Sequence, residues 1–342
     1  MTMFDQITSF DNLYAAYKTA ARGKHDRAEV LRHDLHAEKI IWRLQRDLRG
    51  GSYRHGKYRT FKVYDPKQRD VAAAPFTDRI VHHALVSQIE PLFERVFIHD
   101  SYACRVGKGT HAAVLRLQHF LRSAHDRFGE FYVLRADIRR FFASIDHEIL
   151  LQLLGKQIHD AKTLGLCAQI IDSYREPSED PRLALGQPIG NLTSQLFANV
   201  YLNHLDQFVK RTLGGGDYLR YMDDFLLIHP SKAHLEAAKA AIENFARDEL
   251  ALSLHPRKAN IHKFVTRERF VGYDAELFVR RLSKPTVQRF MRRLQRTYAQ
   301  KGETAARESW AQFDAYASFA HAQGLLKAIN PFAEKIVADN KP

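Results

Sequence analysis

The residues best suited to chemistry in this chain are three aspartates. Asp223 and Asp224 are adjacent within YMDDFLLI (221–228), a segment that is otherwise mainly apolar, and Asp137 ends the β-rich run FYVLRAD (131–137). A carboxylate removed from water must be paired, hydrogen-bonded or bound to a metal. Carboxylates at the strand ends of one sheet can converge on a pair of Mg²⁺ ions, because hard oxygen ligands suit this metal. Two such ions support in-line phosphoryl transfer.

A polar hairpin turn is the alternative interpretation of the aspartate pair, since Asp is a common turn residue. Two observations favour the metal site. Apolar, β-forming residues flank Asp223 and Asp224, and the whole chain is strongly basic, which suits a polyanionic substrate. The pattern of these residues by itself leaves the polar turn open.

The charge balance favours nucleic acid as the partner. The 342 residues include 52 Lys and Arg against 39 Asp and Glu, a formal charge of +13, and the pI is about 9.7. Nucleic acid is the first expectation and an anionic membrane the second. Cys104 and Cys167 lack CxxC spacing, which argues against a disulfide framework or a cysteine zinc site and fits a reducing compartment. His82 and His83 begin an apolar-periodic helix and are interpreted as structural rather than as metal ligands.

No segment predicts export or membrane insertion. The N-terminal MTMFDQITSFDNL lacks the basic start and apolar core of a signal peptide. The longest charge-free run, 186–205, contains Gln, Asn, Thr, Ser and Pro, so it is not expected to span a bilayer. We therefore expect a soluble, cytoplasmic protein without a membrane partner.

Hydrophobic periodicity predicts helices interleaved with short strands. Helices are expected over the first 50 residues, at 78–97, 146–158, 161–174, after Pro188, at 233–249 and through the last 60 residues. Strands are expected at 58–64, 131–137, on both sides of the Asp223 turn and near 270–278, with turns or loops at 65–66, 176–185 and 214–217. Because the strands are short and several look antiparallel, the pattern indicates an α+β protein.

Five segments, in order, resemble the motifs of reverse transcriptases. YMDD is similar to their YxDD box, and RADIRRFFASID, around Asp137, resembles their motif A strand. The remaining matches are RVGKGTH (105–111), GQPIGNLTSQLFANVYLN (186–203) and FVGY (270–273). The resemblance covers roughly residues 55–280. The ordered set is far more specific than any one of its members.

This resemblance implies a right-hand polymerase with fingers, a ferredoxin-like antiparallel palm sheet and a helical thumb. The implied division is 1–100 for the N-terminal helices and fingers, 101–143 for the first part of the palm, 144–188 for the second part of the fingers, 189–278 for the rest of the palm and 279–342 for a basic thumb. The implied activity is RNA-directed DNA synthesis from dNTPs, with a template RNA, a cDNA product and two Mg²⁺ ions for which Mn²⁺ can substitute.

By the same resemblance, the catalytic residues are Asp137, Asp223 and Asp224. Asp137 and Asp223 would ligate the metal together with the Ile138 carbonyl, and Asp224 would support the metal or the primer terminus. Phe142 takes the place of an aromatic gate that excludes a 2′-OH, so the substrate would be a dNTP. A core aromatic is the alternative for Phe142.

Several basic residues match positions that contact the nucleotide in the family. Lys67, Arg69 and Arg79 fall on a hairpin and the helix after it, and guanidinium groups suit bidentate contact with phosphate oxygens. Arg69 and Arg79 resemble the triphosphate-binding pair, although a solvated basic face would have the same composition. Lys258 in LHPRKANI lies near the motif D lysine, which can protonate the leaving pyrophosphate.

The central motif departs from the common QGxxxSP pattern. Ile189 replaces the glutamine, Gly190 is kept and Gln195 replaces the proline. This IGNLTSQ form resembles the reverse transcriptases of diversity-generating retroelements, which copy template adenines with errors. An aliphatic side chain at 189 cannot hydrogen-bond the nucleotide, so selectivity should fall. The resemblance also implies a small, basic, oligomeric accessory protein as a partner.

An amphipathic helix is predicted after Pro285. One face is basic: Arg289, Arg292, Arg293 and Arg296. The other is apolar: Val287, Phe290, Met291 and Leu294. Such a helix can lay arginines along a phosphate backbone; a membrane-surface helix is the alternative. A further helix is predicted to bury Trp310, Phe313 and Ala317.

Taken together, these patterns predict a reverse transcriptase that makes error-prone cDNA for targeted mutagenesis. One alternative is a related stand-alone reverse transcriptase in antiphage defence. Another is an inactive RNA-binding scaffold with the same fold, against which the three intact aspartates argue.

Overall fold

The computed structural model describes residues 1–24, 28–64, 68–177 and 185–326. Helices and short strands alternate, as the sequence predicts. The helices are α1 (Met3–Ile7), α2 (Phe10–Ala21), α3 (Ala28–Asp34), α4 (Ala37–Arg49), α5 (Phe76–Glu94), α6 (Thr110–Phe128), α7 (Phe141–Ser144), α8 (His147–Gly155), α9 (Ala161–Asp172), α10 (Leu192–Gln207), α11 (Lys232–Leu250) and α12 (Lys284–Ala317). A π-helical segment, Phe208–Thr212, continues α10. The strands are β1 (Arg59–Val63), β2 (Arg69–Ala73), β3 (Tyr132–Asp137), β4 (Asp217–Tyr221), β5 (Asp224–His229), β6 (Asn260–Lys263), β7 (Glu268–Phe270), β8 (Tyr273–Ala275) and β9 (Arg280–Leu282).

Four strands form the central sheet in the order β4-β5-β3-β6, and every neighbouring pair is antiparallel. Helices α7 to α10 connect β3 with β4, and α11 connects β5 with β6. The result is a β-α-β-β-α-β connection, the split βαβ arrangement of ferredoxin-like sheets. The three aspartates thus belong to one antiparallel sheet.

Both faces of this sheet are covered, which explains the almost continuous apolar run of β5. Phe225 and Leu227 join the larger hydrophobic core, which includes α10 and α11. Leu226 and Ile228 point the other way, into a second core that includes α6. Because successive strand residues face opposite sides, a strand covered on both sides is apolar at each position rather than at every second one.

The helices and strands predicted before the central sheet and between β3 and α10 are present as predicted, with boundaries shifted by a few residues. The strand predicted at 58–64 is β1, which pairs with β2 as an antiparallel hairpin. Helices α8 and α9 begin after Asp146 and Asp160, whose carboxylates accept hydrogen bonds from first-turn N–H groups. The turn predicted at 65–66 and most of the loop predicted at 176–185 lie outside the described residues.

The continuous strand predicted near 270–278 is wrong. β7 ends at Phe270 and β8 begins at Tyr273, because Gly272 adopts a φ of 94° and turns the chain. A Cβ at residue 272 would lie 2.8 Å from the hydroxyl oxygen of Tyr316. Both the backbone conformation and the close approach of α12 therefore require glycine here.

Helix α12 is interrupted at Gly302, whose φ of 80° and ψ of −174° divide it into two helical segments. Phe290 in the first segment stacks on Phe313 in the second, with ring centroids 3.7 Å apart. Ala317 is buried and Trp310 is partly buried, so the predicted packing of a further helix is confirmed. Residues 327–342 of the predicted helical end lie outside the described part. Within that part, no helix combines the length and apolar composition needed to cross a membrane.

Candidate active site

The paired aspartates lie where β4 turns into β5. Tyr221 pairs with Asp224 across the ladder, which leaves Met222 and Asp223 as a two-residue turn. Met222 has a φ of 56°, a left-handed conformation that suits tight hairpin turns but that few residues other than glycine adopt. Asp223 therefore stands at the tip of a hairpin whose strands are buried.

Asp137 lies directly beside this hairpin at the end of β3. It is the register partner of Asp224 on the adjacent antiparallel strand. The N–H of Ile138 donates to the Asp223 carbonyl oxygen over 3.0 Å, whereas no described residue donates a hydrogen bond to the carbonyl oxygen of Ile138 itself. Asp137, Ile138, Asp223 and Asp224 thus occupy neighbouring backbone positions where β3 meets the β4–β5 hairpin.

Of the three carboxylates, Asp223 has the fewest neighbouring groups that offset its negative charge. Burial raises the pKa of Asp223 to about 6, and the nearby charge of Asp137 adds to this rise. Asp137 is paired with Lys258, whose Nζ lies 2.6 Å from Oδ2. Asp224 is paired with Arg135, whose Nη2 lies 2.9 Å from Oδ2; burial raises the pKa of Asp224 although Arg135 opposes the rise. Asp223 has no ion-pair partner among the described residues, so a further cation would relieve its charge.

The chemistry of these donors suits a divalent cation. Carboxylate oxygens are ligands that Mg²⁺ prefers, and Asp223 lacks a counter-charge. The side chains are not gathered around one point, however: in the described ranges, no group of three or more His, Cys, Asp or Glu side chains is arranged to hold a metal ion. Two of the three carboxylates are instead bound to Lys258 and Arg135.

Arg135 is a site residue that the sequence analysis missed. Its guanidinium contacts Asp224 and also donates to the carbonyl oxygen of Arg269 over 2.7 Å. Arg135 precedes Asp137 by two residues in β3, so both side chains lie on the same face of the strand. A cation two residues before a carboxylate in a predicted strand could therefore have indicated that Arg135 belongs to the site.

The segment that begins α10 is hydrogen-bonded to β2. The N–H of Ala72 donates to the Ile189 carbonyl oxygen over 3.3 Å. The side chain of Asn191 donates to the Ala72 carbonyl over 3.1 Å and accepts from the Ala74 N–H over 3.3 Å. Gly190 has a φ of 109°, and a Cβ there would lie 3.0 Å from Val71 Cγ1. Ile189 and Gly190 thus adjoin the β1–β2 hairpin.

Phe142 and Gln195 are half-buried. Phe142 packs against the larger core, with its ring centroid 5.5 Å from that of the buried Phe141. Its carbonyl oxygen accepts a 2.7 Å hydrogen bond from the N–H of Gln187. Gln195 follows Asn191 by one turn of α10, and its N–H donates to the Asn191 carbonyl oxygen over 3.4 Å. Phe142 is therefore tied to the segment leading to α10, while its side chain stays partly exposed.

The predicted triphosphate-binding cations lie on elements outside the central sheet. Arg69 is exposed at the start of β2. Arg79 is half-buried in the first turn of α5, with its guanidinium carbon 5.3 Å from the ring centroid of Phe76. Lys67 lies outside the described residues. Of the predicted nucleotide-binding cations in the described part, Lys258 is the one in direct contact with a site carboxylate.

The basic face of α12 has the predicted geometry. Its four arginines are exposed: Arg289, Arg292, Arg293 and Arg296. Phe290 and Leu294, on the opposite side, are 3% and 0% exposed. The helix is therefore docked by its apolar face and presents a row of guanidinium groups to solvent.

Comparison with known proteins agrees with this arrangement. The chain is 26% identical over 243 residues to protein YkfC of Escherichia coli K12, covering 58% of this chain and 62% of that protein. It is 27% identical over 205 residues to the group II intron-encoded protein LtrA of Lactococcus lactis subsp. cremoris, covering 59% of this chain and 33% of that protein. The chain thus spans less than two thirds of either relative.

A solved structure and a family model complete the comparison. The structure of apo telomerase from Candida tropicalis, truncated from its C-terminal domain, aligns with a TM-score of 0.50 at 11% identity, covering 72% of this chain and 60% of that one. At this identity the likeness shows a shared polymerase-like fold of helices and strands. The model of the family described as reverse transcriptase (RNA-dependent DNA polymerase) matches residues 64–275, which is more than half of the chain and includes all three aspartates. The chain belongs to the reverse transcriptase family.

Proposed function

We propose that the protein is an RNA-directed DNA polymerase. The observation that carries the proposal is the junction of β3 with the β4–β5 hairpin, which places Asp137, Asp223 and Asp224 together within the segment matched by the reverse transcriptase family. The central sheet would form the palm (101–143 and 189–278). The fingers would comprise 1–100 and 144–188, and the interrupted helix α12 would belong to the thumb (279–342).

Each side chain has a specific role in this proposal. Asp137, Asp223 and the Ile138 carbonyl would hold Mg²⁺, or Mn²⁺ in its place, with Asp224 in support. The chemistry that such ions would supply there is activation of the primer hydroxyl and stabilisation of the departing pyrophosphate. Lys258 would donate a proton to that pyrophosphate.

The nucleotide and the nucleic acid would be bound by residues around this centre. Arg69 and Arg79 would contact the dNTP triphosphate, since guanidinium groups form paired hydrogen bonds with phosphate oxygens. Phe142 would exclude a 2′-OH. The template RNA and the cDNA product would lie along the arginine face of α12.

Primer extension on an RNA template tests this proposal. We expect the wild type to extend a DNA primer with Mg²⁺ and dNTPs, and Asp223→Asn to abolish extension. Asp126→Asn, an exposed aspartate on α6, is the matched control and should extend normally. Equal extension by Asp223→Asn and the wild type would contradict the metal site. RNA binding without any extension by the wild type would instead support the inactive scaffold.

We further propose that the enzyme belongs to a diversity-generating retroelement and copies template adenines with errors. Support comes from the segment 186–203, in which Ile189 adjoins β2 and offers no side-chain hydrogen bond to a substrate. The small accessory protein is a proposed partner on the same grounds. Because both proteins would be basic, we expect RNA to bridge them.

Misincorporation opposite adenine tests this narrower proposal. Ile189→Gln should lower the error frequency opposite template adenine by up to roughly tenfold, because one hydrogen bond contributes about 0.5 to 1.5 kcal/mol net. Ile189→Leu keeps an aliphatic side chain and is the matched control. An unchanged error frequency in Ile189→Gln would contradict the proposed role of Ile189. Faithful copying of adenine by the wild type would instead favour the defence-type enzyme.

A further inference from the structure

A buried arginine supports the hairpin that carries Asp223. Arg220, in β4, and Asp206, in α10, each have a side chain that is only 1% exposed. Nε of Arg220 donates to Asp206 Oδ1 over 2.8 Å, and Nη2 donates to Oδ2 over 2.7 Å. The guanidinium is thereby held in a two-pronged ion pair with a fixed orientation.

The remaining arm of this guanidinium reaches the turn. Nη1 of Arg220 donates to the Met222 carbonyl oxygen over 3.0 Å and to Asn199 Oδ1 over 3.3 Å. The Met222 carbonyl belongs to the peptide group that joins Met222 to Asp223. Arg220 therefore fixes the plane of the peptide on the N-terminal side of Asp223.

The peptide on the other side of Asp223 is fixed as well. Its carbonyl oxygen accepts the 3.0 Å hydrogen bond from the Ile138 N–H. Both peptide planes that flank Asp223 are thus held by neighbouring elements, one by a side chain from β4 and the other by the backbone after β3. Rotation about the backbone bonds of Asp223 is restrained from both sides, so the direction of its Cα–Cβ bond is fixed relative to β3.

The backbone of Arg220 is anchored independently of its side chain. Its N–H donates to the Asp100 carbonyl oxygen over 2.9 Å, and its carbonyl oxygen accepts from the Tyr102 N–H over 3.0 Å. The segment 100–102 therefore covers this edge of β4. Removing the guanidinium should therefore increase the mobility of the Met222–Asp223 turn and leave β4 in place.

Stability alone does not account for such an ion pair. Taking two charges out of water largely offsets their attraction, and neutral replacements of both partners are often no less stable. A neutral pair would, however, lack the third arm that restrains Met222. Orientation of the turn is the contribution that only the arginine makes here.

We propose that Arg220, held in place by Asp206, is the positioning residue for Asp223. It acts through the Met222–Asp223 peptide and sets where the Asp223 carboxylate stands relative to Asp137. The inference rests on the proposed polymerase function, because there Asp223 is a metal ligand.

This role can be tested with variants that lose the hydrogen bond from Arg220 to the Met222 carbonyl oxygen but keep the fold. Arg220→Met/Asp206→Asn removes both charges and leaves an acceptor for Tyr218, whose hydroxyl donates to Asp206 over 2.8 Å. Arg220→Lys keeps a cation opposite Asp206 but cannot also span to Met222. Tyr218→Phe is the matched control, because it removes a hydrogen bond to Asp206 and leaves the bond from Arg220 to Met222.

We expect both arginine variants to fold with near-normal thermal midpoints. Their kcat for nucleotide incorporation should fall roughly 10- to 100-fold, the scale of a small misplacement of a reacting group, with KM for dNTP within about twofold of the wild type. Amide hydrogen exchange in the peptide 219–226 should become faster. Tyr218→Phe should keep both the wild-type kcat and the wild-type exchange in this peptide.

The outcomes separate this inference from the function on which it rests. Wild-type kcat in a folded Arg220→Met/Asp206→Asn protein, or unchanged exchange at 219–226, overturns the role of Arg220. If neither the wild type nor Asp126→Asn extends primers, the proposed function fails instead. Hydrogen exchange then decides the positioning role by itself, since it requires no activity.

Discussion

The Nζ atom of Lys258 lies 2.6 Å from Oδ2 of Asp137, so an ammonium group occupies one of the carboxylates proposed to bind metal. The Lys258 side chain is 43% exposed and that of Asp137 is 17% exposed. The pair is accessible enough for the lysine to leave when a stronger cation arrives. Under the proposed function, a metal ion and the Lys258 ammonium would therefore compete for Asp137.

This competition makes Lys258→Gln informative. Incorporation of a nucleotide should slow roughly 100-fold, the lower range of what a general acid contributes. The Mg²⁺ concentration required for the half-maximal rate should nevertheless fall, because the ammonium no longer neutralises Asp137. Lys263→Gln is the control, since Lys263 forms a 2.6 Å ion pair with Glu130 on an exposed surface. A higher Mg²⁺ requirement in Lys258→Gln would show that the two cations do not compete.

Asp223→Asn should stabilise the metal-free protein. The pKa of Asp223 is raised to about 6 by burial and by Asp137, so the ionised carboxylate opposes folding above pH 6, and this cost fades as the pH falls toward 3.8. At pH 7.5 the variant should gain roughly 1 to 3 kcal/mol in the free energy of unfolding, measured in urea with EDTA. Added Mg²⁺ should stabilise the wild type and not the variant. A less stable Asp223→Asn would show that the carboxylate makes a favourable contact in the folded state.

The arginine face of α12 should control the salt dependence of binding to an RNA–DNA duplex. Replacing Arg289, Arg292, Arg293 and Arg296 by Gln should reduce the slope of log affinity against log salt concentration by up to about 0.9 for each phosphate that the helix no longer neutralises. Fluorescence anisotropy at several salt concentrations measures this slope. The control replaces four surface cations that are each paired with a carboxylate, namely the exposed Lys232, Arg247 and Arg307 and the half-buried Lys239. Equal slopes for the two variants would place the nucleic acid elsewhere.

His82 should make the protein less stable in acid. Burial lowers the pKa of His82 to about 3, and the charges of His55 and His83 add to this effect. Between pH 6.5 and about pH 3, His82 is protonated in the unfolded chain and neutral in the folded one. The free energy of unfolding therefore decreases as the pH is lowered, by up to about 1.4 kcal/mol per pH unit. His82→Gln should flatten this dependence in urea titrations between pH 7 and pH 5. His119→Gln, exposed on α6, should leave it unchanged, and an unaltered slope in His82→Gln would rule out His82 as its source.

The sequence predicted the aspartates and their strands because that signal is local. A carboxylate inside an apolar run, such as Asp223, can be recognised in the sequence without knowing which strands pair or in what register. Hydrophobic periodicity alone predicts the α+β class. It also predicts that Phe290 and Leu294 lie on the buried face of a helix and that the arginines beside them are exposed. Each of these features depends on residues a few positions apart.

The partners of the aspartates could not be predicted in the same way. The pairing of Arg135 with Asp224 depends on strand register, and the pairing of Arg220 with Asp206 depends on how α10 crosses the sheet. An arginine inside a strand would normally be assigned to the solvent face, whereas Arg220 is fully buried. The break in the strand predicted at 270–278, by contrast, had a local signal, because Gly272 adopts the positive φ that turns the chain between β7 and β8.

The hydrogen bonds from β2 to Ile189 and Asn191 have a mechanical consequence. Ala72 and Ala74 are joined to these two residues by three hydrogen bonds, and α10 in turn packs on the central sheet. A β1–β2 hairpin that closes over a substrate must therefore carry residue 189 along or break those bonds. Nucleotide choice and hairpin closure would then be a single event, so an enzyme altered at position 189 would differ in how fast it closes as well as in what it accepts.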